Sequence, residues 1–408
     1  MTIAAGSALG VLVTVALTPI ISRLYSPEVF GEFSTIVAVA SVLIGFSTMR
    51  FEIFAQAEKR FSEFVAAMRL ALIIMIATAA ALTMATVALA RIIDLPTVWL
   101  LLGPLVLVGS LQLTGAAALV REQKYRRLSL ANFWQQATIG IWQVAVGTFS
   151  ASIAALVVAF ALARSVWVVP TVASLKHATS SLRRYCRFRR KEALTAGLSA
   201  LVNSLAGQAV VILVAFIYGS TEVGLLAMAI RIIVSPIGMA AQAFSSAVVG
   251  EIGKELRAGE IATARSSVQH GMLTNLKIGV VPVALVALAS PFIAGQILGS
   301  EWGGVGTIIA VLSVGALAQF VVAPFSQVLN LTSRSGLLLG WDLTRLVVYV
   351  MAIGIPALTG RDWLVAICFY SVCQVAVYAL LAFALRSALT EAGIKTQVKL
   401  PETNKSET

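Results

Sequence analysis

Twelve apolar segments of about twenty residues constrain this chain more than any other feature of its sequence. A helix needs roughly 20 apolar residues to cross the hydrocarbon core of a bilayer, and it satisfies its backbone hydrogen bonds internally. The mean hydropathy is +0.93 and 12% of the residues are charged, whereas soluble domains carry about 25%. The sequence therefore predicts an all-α integral membrane protein with twelve transmembrane helices. The predicted spans are residues 3–22, 29–49, 66–90, 97–119, 130–149, 152–175, 194–217, 223–248, 272–298, 304–329, 337–359 and 363–386.

Basic residues divide the connecting loops into two sets. The loops after the second, fourth, sixth, eighth and tenth spans, together with the C-terminal tail, hold 21 Lys and Arg residues. The alternate loops hold three, which are Arg23, Arg91 and Arg361. Because short cytoplasmic loops are enriched in Lys and Arg, this asymmetry predicts that both termini are cytoplasmic.

A basic linker, residues 176–193, separates two apolar halves. Its first sixteen residues contain seven Lys or Arg and no acidic residue. Six predicted spans precede it and six follow it. This arrangement predicts an N-terminal lobe over residues 1–175, a C-terminal lobe over residues 194–386 and a cytoplasmic tail over residues 387–408. We interpret the linker as a loop that sets the topology beside anionic lipid head groups.

A weak internal repeat relates the two halves. The turn Tyr25–Gly31 aligns with Tyr218–Gly224 at an offset of 193 residues, and the alignment reaches Gly45 and Gly238 without a gap. Each copy connects the first two spans of its half. Because each half has an even number of spans, the repeat predicts two six-helix lobes related by a pseudo-two-fold axis along the membrane normal.

Two motifs resemble a known family. Residues 23–31 read RLYSPEVFG, and the second span ends in Thr48-Met-Arg-Phe-Glu52. Together they resemble the Wzx-type polysaccharide flippases of the multidrug/oligosaccharidyl-lipid/polysaccharide (MOP) exporter superfamily, in which the turn commonly reads RLYSPEDFG and the second helix commonly ends near Leu-Arg-Tyr-Glu. Here Val29, Met49 and Phe51 replace the usual Asp, Leu and Tyr. Family members usually have a short lead before the first helix, so the resemblance also predicts a start upstream of Met1.

The resemblance implies a fold like that of multidrug and toxin extrusion (MATE) transporters. It implies transport, without enzyme activity, of oligosaccharides linked to undecaprenyl pyrophosphate across the bacterial inner membrane, for O-antigen, capsule or exopolysaccharide synthesis. The implied partners are this lipid-linked glycan, membrane lipids, and the polymerase and chain-length regulator proteins of polysaccharide assembly. Nucleic acid is not an expected partner, because the positive-inside bias accounts for the net charge of +12.

Charged residues inside the spans are the main candidates for a binding site, because such charges are costly and usually face a cavity or a partner. The residues predicted to line a central cationic cavity are Arg231, Arg164, Arg345 and Arg50. Guanidinium groups bind phosphate oxygens with charge assistance, which suits a pyrophosphate head group. Asp342 lies three residues before Arg345, and we interpret it either as the structural partner of that arginine or as a site of ion coupling.

Amide side chains in the C-terminal spans are predicted either to contact sugars or to join neighbouring helices. They are Asn203, Gln208, Gln242 and Gln319. The same alternatives apply to Gln135 and Gln143 in the fifth span. The three cysteines and two histidines show no metal-ligand spacing, so no metal site and no cofactor are expected.

Three other functions are alternatives. A MATE-type drug or cation antiporter would need deep carboxylates, whereas the predicted core carries surplus positive charge. A membrane enzyme would need a large extracytoplasmic loop or a pair of carboxylates beside a metal, and the sequence predicts neither. A non-transporting membrane scaffold of a polysaccharide assembly complex would keep the same fold.

Overall fold

The computed structural model describes residues 3–174, 182–332 and 334–398, and within these ranges the protein contains helices and no strands. The α-helices are α1 Ile3–Ala16, α2 Thr18–Leu24, α3 Pro27–Phe46, α4 Phe51–Ala57, α5 Phe61–Ala90, α6 Leu102–Arg121, α7 Tyr125–Gly147, α8 Ile153–Arg164, α9 Val168–Ala173, α10 Leu182–Ile217, α11 Ser220–Ala229, α12 Ser235–Arg257, α13 Ile261–Leu298, α14 Val305–Val322, α15 Val328–Leu331, α16 Ser335–Leu358 and α17 Trp363–Val398. Short 3₁₀ segments cover Thr97–Leu101, Ser165–Trp167, Ser300–Trp302 and Ala323–Phe325. The first part of the basic linker, residues 176–181, lies outside the described residues, and residues 182–193 begin α10.

Ten of the twelve predicted spans coincide with helices that are long and apolar enough to cross a membrane, counted over the described residues. The first predicted span is a pair of helices, α1 and α2, which meet at a bend of 43° and raise the number to 11. The fifth is α7, which has 23 residues but does not meet the same requirement of composition. Its three glutamines, Gln135, Gln136 and Gln143, make it more polar than the other spans.

Three of the prolines in the spans mark breaks in the helices. Pro19 begins α2 just after the 43° bend. A π-helical turn, Ile230–Val234, precedes Pro236 in the first turn of α12. Pro324 lies in the 3₁₀ segment that ends α14. Proline has no N–H to donate and its ring clashes with the preceding turn, which favours a break at these three positions. Pro282 and Pro291 are nevertheless accommodated inside α13, and Pro356 inside α16.

Loops that were predicted to lie on the same side meet at the same end of the bundle. At one end, the Trp302 indole donates a hydrogen bond to the carbonyl of Ser22 at 2.7 Å. At the other end, Arg189 at the start of α10 contacts Glu58 at 3.1 Å. Each of these two contacts joins loops that the charge pattern assigned to the same side. We call these ends the outer end and the linker end, following the orientation that the positive-inside rule predicts.

The two copies of the internal repeat pack against each other at the outer end. A Cβ atom on Gly31 would lie 1.8 Å from the carbonyl oxygen of Ser220, and one on Gly224 would lie 1.9 Å from that of Pro27. Ser220 and Gly224 stand 193 positions after Pro27 and Gly31, so the contact is reciprocal. Contacts of this kind form where two similar units face each other across a two-fold axis. The predicted pseudo-two-fold relation is therefore visible in this contact, which we call the outer seal.

Candidate functional site

A polar cavity of about 360 Å³ lies in the C-terminal half. It adjoins both broken spans of that half, because Gly238 follows the π-helical turn in the chain and Pro324 lies in the 3₁₀ break. Interrupted helices at membrane depth are tolerated where they line a cavity. The polar side chains that line it are Asn203, Gln242, Ser245, Gln319, Ser326, Gln327, Asp342, Arg345 and Tyr378.

An ion pair on α16 forms one wall of this cavity. Arg345 lies 3.0 Å from Asp342 and donates a hydrogen bond to the side-chain oxygen of Asn203 on α10 at 2.8 Å. Its guanidinium group also lies 4.7 Å from the centre of the Trp341 ring. Of the two roles considered for Asp342, the structure shows the pairing with Arg345. The pair is electrically neutral, so the cavity offers amides, hydroxyls and the aromatic rings of Trp341 and Tyr378.

The cavity brings together five of the predicted site residues and leaves one neighbour out. Asn203, Gln242 and Gln319 line it with the ion pair, but Gln208 does not. Gln208 follows Asn203 by five residues on α10. At 3.6 residues per turn, that separation rotates the two side chains by about 140°, so Gln208 belongs to another face of the helix.

Arg231 lies away from this cavity, at the contact between the two halves. It is part of the π-helical turn, and its guanidinium group donates hydrogen bonds to the Gln143 side chain at 2.8 Å and to the Thr14 carbonyl at 3.4 Å. The ring of Phe30 lies 5.9 Å from the same group. Arg231 therefore holds the C-terminal half against α1 and α7 of the N-terminal half.

Arg164, the last residue of α8, is a half-buried cation in the N-terminal half. Its guanidinium group lies 3.8 Å from the centre of the Phe160 ring. Its Nε and Nη1 atoms are buried and have no hydrogen-bond partner among the described residues. Buried polar groups are normally hydrogen-bonded. A bound ligand could accept the hydrogen bonds that these two donors do not make within the described structure.

The segment Thr48–Glu52 contains unusual backbone geometry. Met49 and Arg50 have φ angles of 46° and 63°, in the left-handed region that residues other than glycine rarely adopt. They connect α3 to α4 and bury Glu52, which is 2% exposed. Neither carboxylate oxygen of Glu52 has a hydrogen-bond partner within the described part of the chain, and burial raises its pKa above the ordinary value. Backbone strain of this kind is concentrated at functional sites.

Arg50, which was predicted to line the cationic cavity, lies instead 3.7 Å from Glu52. Glu52 is the last residue of the Thr48–Glu52 motif at the end of the second predicted span, and no role was predicted for it. Its place in that motif is the sequence feature that could have identified it as a functional residue. The structure therefore does not bring the four predicted arginines into one cavity.

Two glutamines of α7 join helices. Gln143 accepts the bond from Arg231, and its carbonyl accepts one from the Tyr25 hydroxyl at 2.8 Å. Gln135 donates to Gln112 at 3.0 Å and accepts from the indole of Trp167. For both residues, the structure favours the role of joining helices over contact with sugars.

Comparison with known proteins rests on the fold. No protein-family model matches the sequence, and no curated protein sequence matches it. Among solved structures, the lipid II flippase MurJ in an inward closed conformation superposes with a TM-score of 0.72 at 13% identity, over 97% of this chain and 90% of MurJ. An inward-facing multidrug resistance MATE family transporter of the MOP superfamily gives 0.69 at 16% identity, over 96% of both chains. A MOP superfamily transporter from Pyrococcus furiosus, described by the reverse polarity of its binding pocket, gives 0.60 at 15% identity, over 96% of this chain and 95% of that one. The predicted MATE-like fold is thus confirmed.

Proposed function

We propose that this protein moves oligosaccharides linked to undecaprenyl pyrophosphate across the bacterial inner membrane. The cavity in the C-terminal half carries this proposal. Its amides and hydroxyls donate and accept hydrogen bonds as sugar hydroxyls require. Trp341 presents a ring beside the neutral Asp342–Arg345 pair. The two motifs that resemble Wzx-type flippases supply the substrate class.

The pyrophosphate requires cations outside this cavity. Arg164 is the best candidate, because its buried Nε and Nη1 lack partners in the described structure. Arg231 is a second candidate, but it must first release Gln143 and Thr14, which it now binds. Guanidinium groups can hold two phosphate oxygens at once. The glycan would then occupy the C-terminal half while the head group lies closer to the N-terminal half.

Transport would proceed by alternating access, in which the two halves rock about the site and the broken spans adjust. Both termini would be cytoplasmic, and the polymerase and chain-length regulator of the same polysaccharide pathway would be partners. These assignments follow from the loop charges and from the family resemblance.

A MATE-type cation antiporter is the second candidate, and Glu52 is the observation that favours it. Its buried carboxylate has no hydrogen-bond partner in the described structure and only a 3.7 Å contact with Arg50, so it can accept a proton or bind a cation. The MATE structures above share the fold, which this function also uses.

The direct test is translocation of a fluorescent undecaprenyl-pyrophosphate oligosaccharide in proteoliposomes. We expect the wild type to move the lipid and Asn203→Ala to lower the initial rate by about tenfold, which corresponds to about 1.4 kcal/mol. Gln208→Ala is the matched control, because it removes an amide from the same helix outside the cavity, and it should keep the wild-type rate.

Other outcomes separate the alternatives. Failure of the wild type with several glycans, combined with uptake of a lipophilic cation, would replace the flippase with the antiporter. Failure with both substrates would favour a scaffold. Equal losses in Asn203→Ala and Gln208→Ala would remove the cavity from the mechanism but leave the transported substrate in place.

A further inference from the structure

A second cavity lies between α13 and α17, away from the polar cavity. Its volume is about 320 Å³, and none of its lining residues belongs to the polar cavity. Two arginines, Arg265 on α13 and Arg386 on α17, line it together with the amide of Gln269 and five apolar side chains. No acidic residue is among the lining residues, and neither arginine has an ion-pair partner among the side chains that the structure describes. The cavity therefore combines two arginines that have no ion-pair partner in the described part of the chain with a largely apolar wall.

Helix lengths place these arginines at the level of the lipid head groups. Arg386 follows Trp363, the first residue of α17, by 23 residues, which is about 35 Å along the helix at 1.5 Å per residue. The hydrocarbon core is about 30 Å thick and the head groups add about 5–8 Å on each side. Since Trp363 begins its helix at the outer end, Arg386 lies beyond the core at the linker end. Arg265 lies near the start of α13, whose 38 residues also make the helix longer than the core is thick.

Three of the five apolar residues of the cavity lie toward the membrane from the arginines. Ala382 and Phe383 precede Arg386 on α17, and Met272 follows Arg265 on α13. Phe383 is 68% exposed, so this part of the cavity faces the surroundings of the bundle. An occupant with an anion beside the arginines and an apolar chain against Phe383 and Met272 fits this lining.

We propose that this cavity binds an anionic phospholipid, with its phosphate held by Arg265 and Arg386 and one acyl chain lying against Phe383 and Met272. Basic pockets between transmembrane helices suit the head groups of anionic lipids, and guanidinium groups give paired, charge-assisted bonds to phosphate. A phosphate without a chain would leave the apolar wall uncovered. The site is separate from the transported substrate and does not depend on the proposed function.

This proposal is tested by titrating the purified protein with phosphatidylglycerol or with phosphatidylcholine. Native mass spectrometry then gives the affinity for the first lipid that binds. We expect phosphatidylglycerol to bind at least tenfold more tightly than phosphatidylcholine. Arg265→Gln/Arg386→Gln should reduce binding of phosphatidylglycerol to the phosphatidylcholine level. The matched control is Arg183→Gln/Arg187→Gln, which removes two exposed charges of α10 outside the cavity and should stay within twofold of the wild type.

A second variant tests the acyl-chain wall. Ala382→Phe keeps both arginines and fills the apolar part, so it should also weaken binding of phosphatidylglycerol at least fivefold. Thermal unfolding without added lipid verifies that each variant is folded. If the double arginine variant does not fold, the binding of phosphatidylglycerol to Ala382→Phe tests the proposal. Wild-type affinity in the double variant, equal affinity for the two lipids in the wild type, or no effect of Ala382→Phe would overturn the proposal.

Discussion

The two ends of the bundle are joined by different chemistry. At the outer end, the outer seal brings backbone against backbone because Gly31 and Gly224 have no side chain. At the linker end, the Glu58 carboxylate accepts hydrogen bonds from Tyr185 at 2.6 Å and from Arg189 at 3.1 Å. We call this second group the linker-end latch. It joins the loop between α4 and α5 to the start of α10.

The difference indicates how each end separates. A steric fit between backbones tolerates no added atom, because close-packed interiors respond even to one methylene group. The latch bonds are polar and can be exchanged for bonds to water, at a net cost of about 1.5–3 kcal/mol for each bond to a charged group. In an alternating-access cycle, the latch would therefore open and close readily, whereas the outer seal would hold until the whole bundle rearranges.

The largest expected effect comes from breaking the outer seal. Gly31→Leu places a side chain where a Cβ alone would lie 1.8 Å from the Ser220 oxygen, and overpacking costs about 3 kcal/mol or more when backbone must move. We expect a marked loss of thermal stability in detergent and loss of transport. Gly207→Leu is the control, because a Cβ there has nothing within 4 Å. Equal melting temperatures for the two variants would show that the outer seal is not tightly packed.

Arg231→Ala probes the polar bonds just beneath the outer seal. It removes donors to Gln143 and Thr14, and hydrogen bonds to charged groups contribute about 1.5–3 kcal/mol. We expect lower stability in unfolding titrations and a coupling of about 1 kcal/mol with Gln143→Ala in a double-mutant cycle. Unchanged stability with lost transport would instead assign Arg231 to the substrate.

Glu52→Gln tests the buried carboxylate nearer the linker end. Burial raises the pKa of Glu52, so the folded protein binds this proton more tightly than the unfolded chain does. Stability therefore falls as pH rises from the ordinary carboxyl pKa through the raised one. Glu52→Gln should remove that slope and be about 1–2 kcal/mol more stable at pH 8. This dependence of stability on pH is measured from the melting temperature between pH 4 and 8. The control is Glu251→Gln, which changes an exposed carboxylate. A Glu52→Gln variant with the same pH dependence as the wild type would contradict the prediction.

Glu58→Gln should give the opposite and smallest effect. Burial opposes the shift, but the hydrogen bonds from Tyr185 and Arg189 lower the pKa of Glu58. The latch then contributes stability above the ordinary carboxyl pKa of about 4.3 and loses it as pH falls through the lowered value. We expect Glu58→Gln to cost about 1 kcal/mol at neutral pH, because the amide oxygen can still accept the bond from Tyr185, and to flatten the acid limb of the same melting series. If the two glutamate variants shift stability in the same direction at neutral pH, the contrast between these two environments is wrong.

The sequence predicted how deep each residue lies along its span better than it predicted which face of the helix the side chain occupies. The apolar runs located the helices, and the repeat with an offset of 193 residues anticipated which turns face each other. Asp342 and Arg345 were close enough on one helix to expect their pairing. A helix that is apolar on all sides does not show which face points inward, so Arg164, Arg231 and Arg345 could not be separated by sequence.

Contacts between distant loops were also beyond the sequence. The latch brings Glu58 to Tyr185 and Arg189, more than 120 residues later. Arg121 adds hydrogen bonds to the carbonyls of Glu58 and Lys59. In the sequence each of these residues is one of many polar residues in a basic loop. Only the folded arrangement of α6 and α10 selects these partners.

The reciprocal glycine contact has a consequence for how such a chain changes by mutation. It is an isologous contact, the kind that two identical subunits make in a symmetric homodimer. In a dimer of half-length chains, positions 31 and 224 would be one residue, and a single substitution would place two new side chains on the axis at once. Within one continuous chain the two positions can vary separately. A side chain added at one position then needs space only in the opposing backbone of the other half. Both are glycine here, although the two halves have diverged elsewhere until the repeat is barely visible.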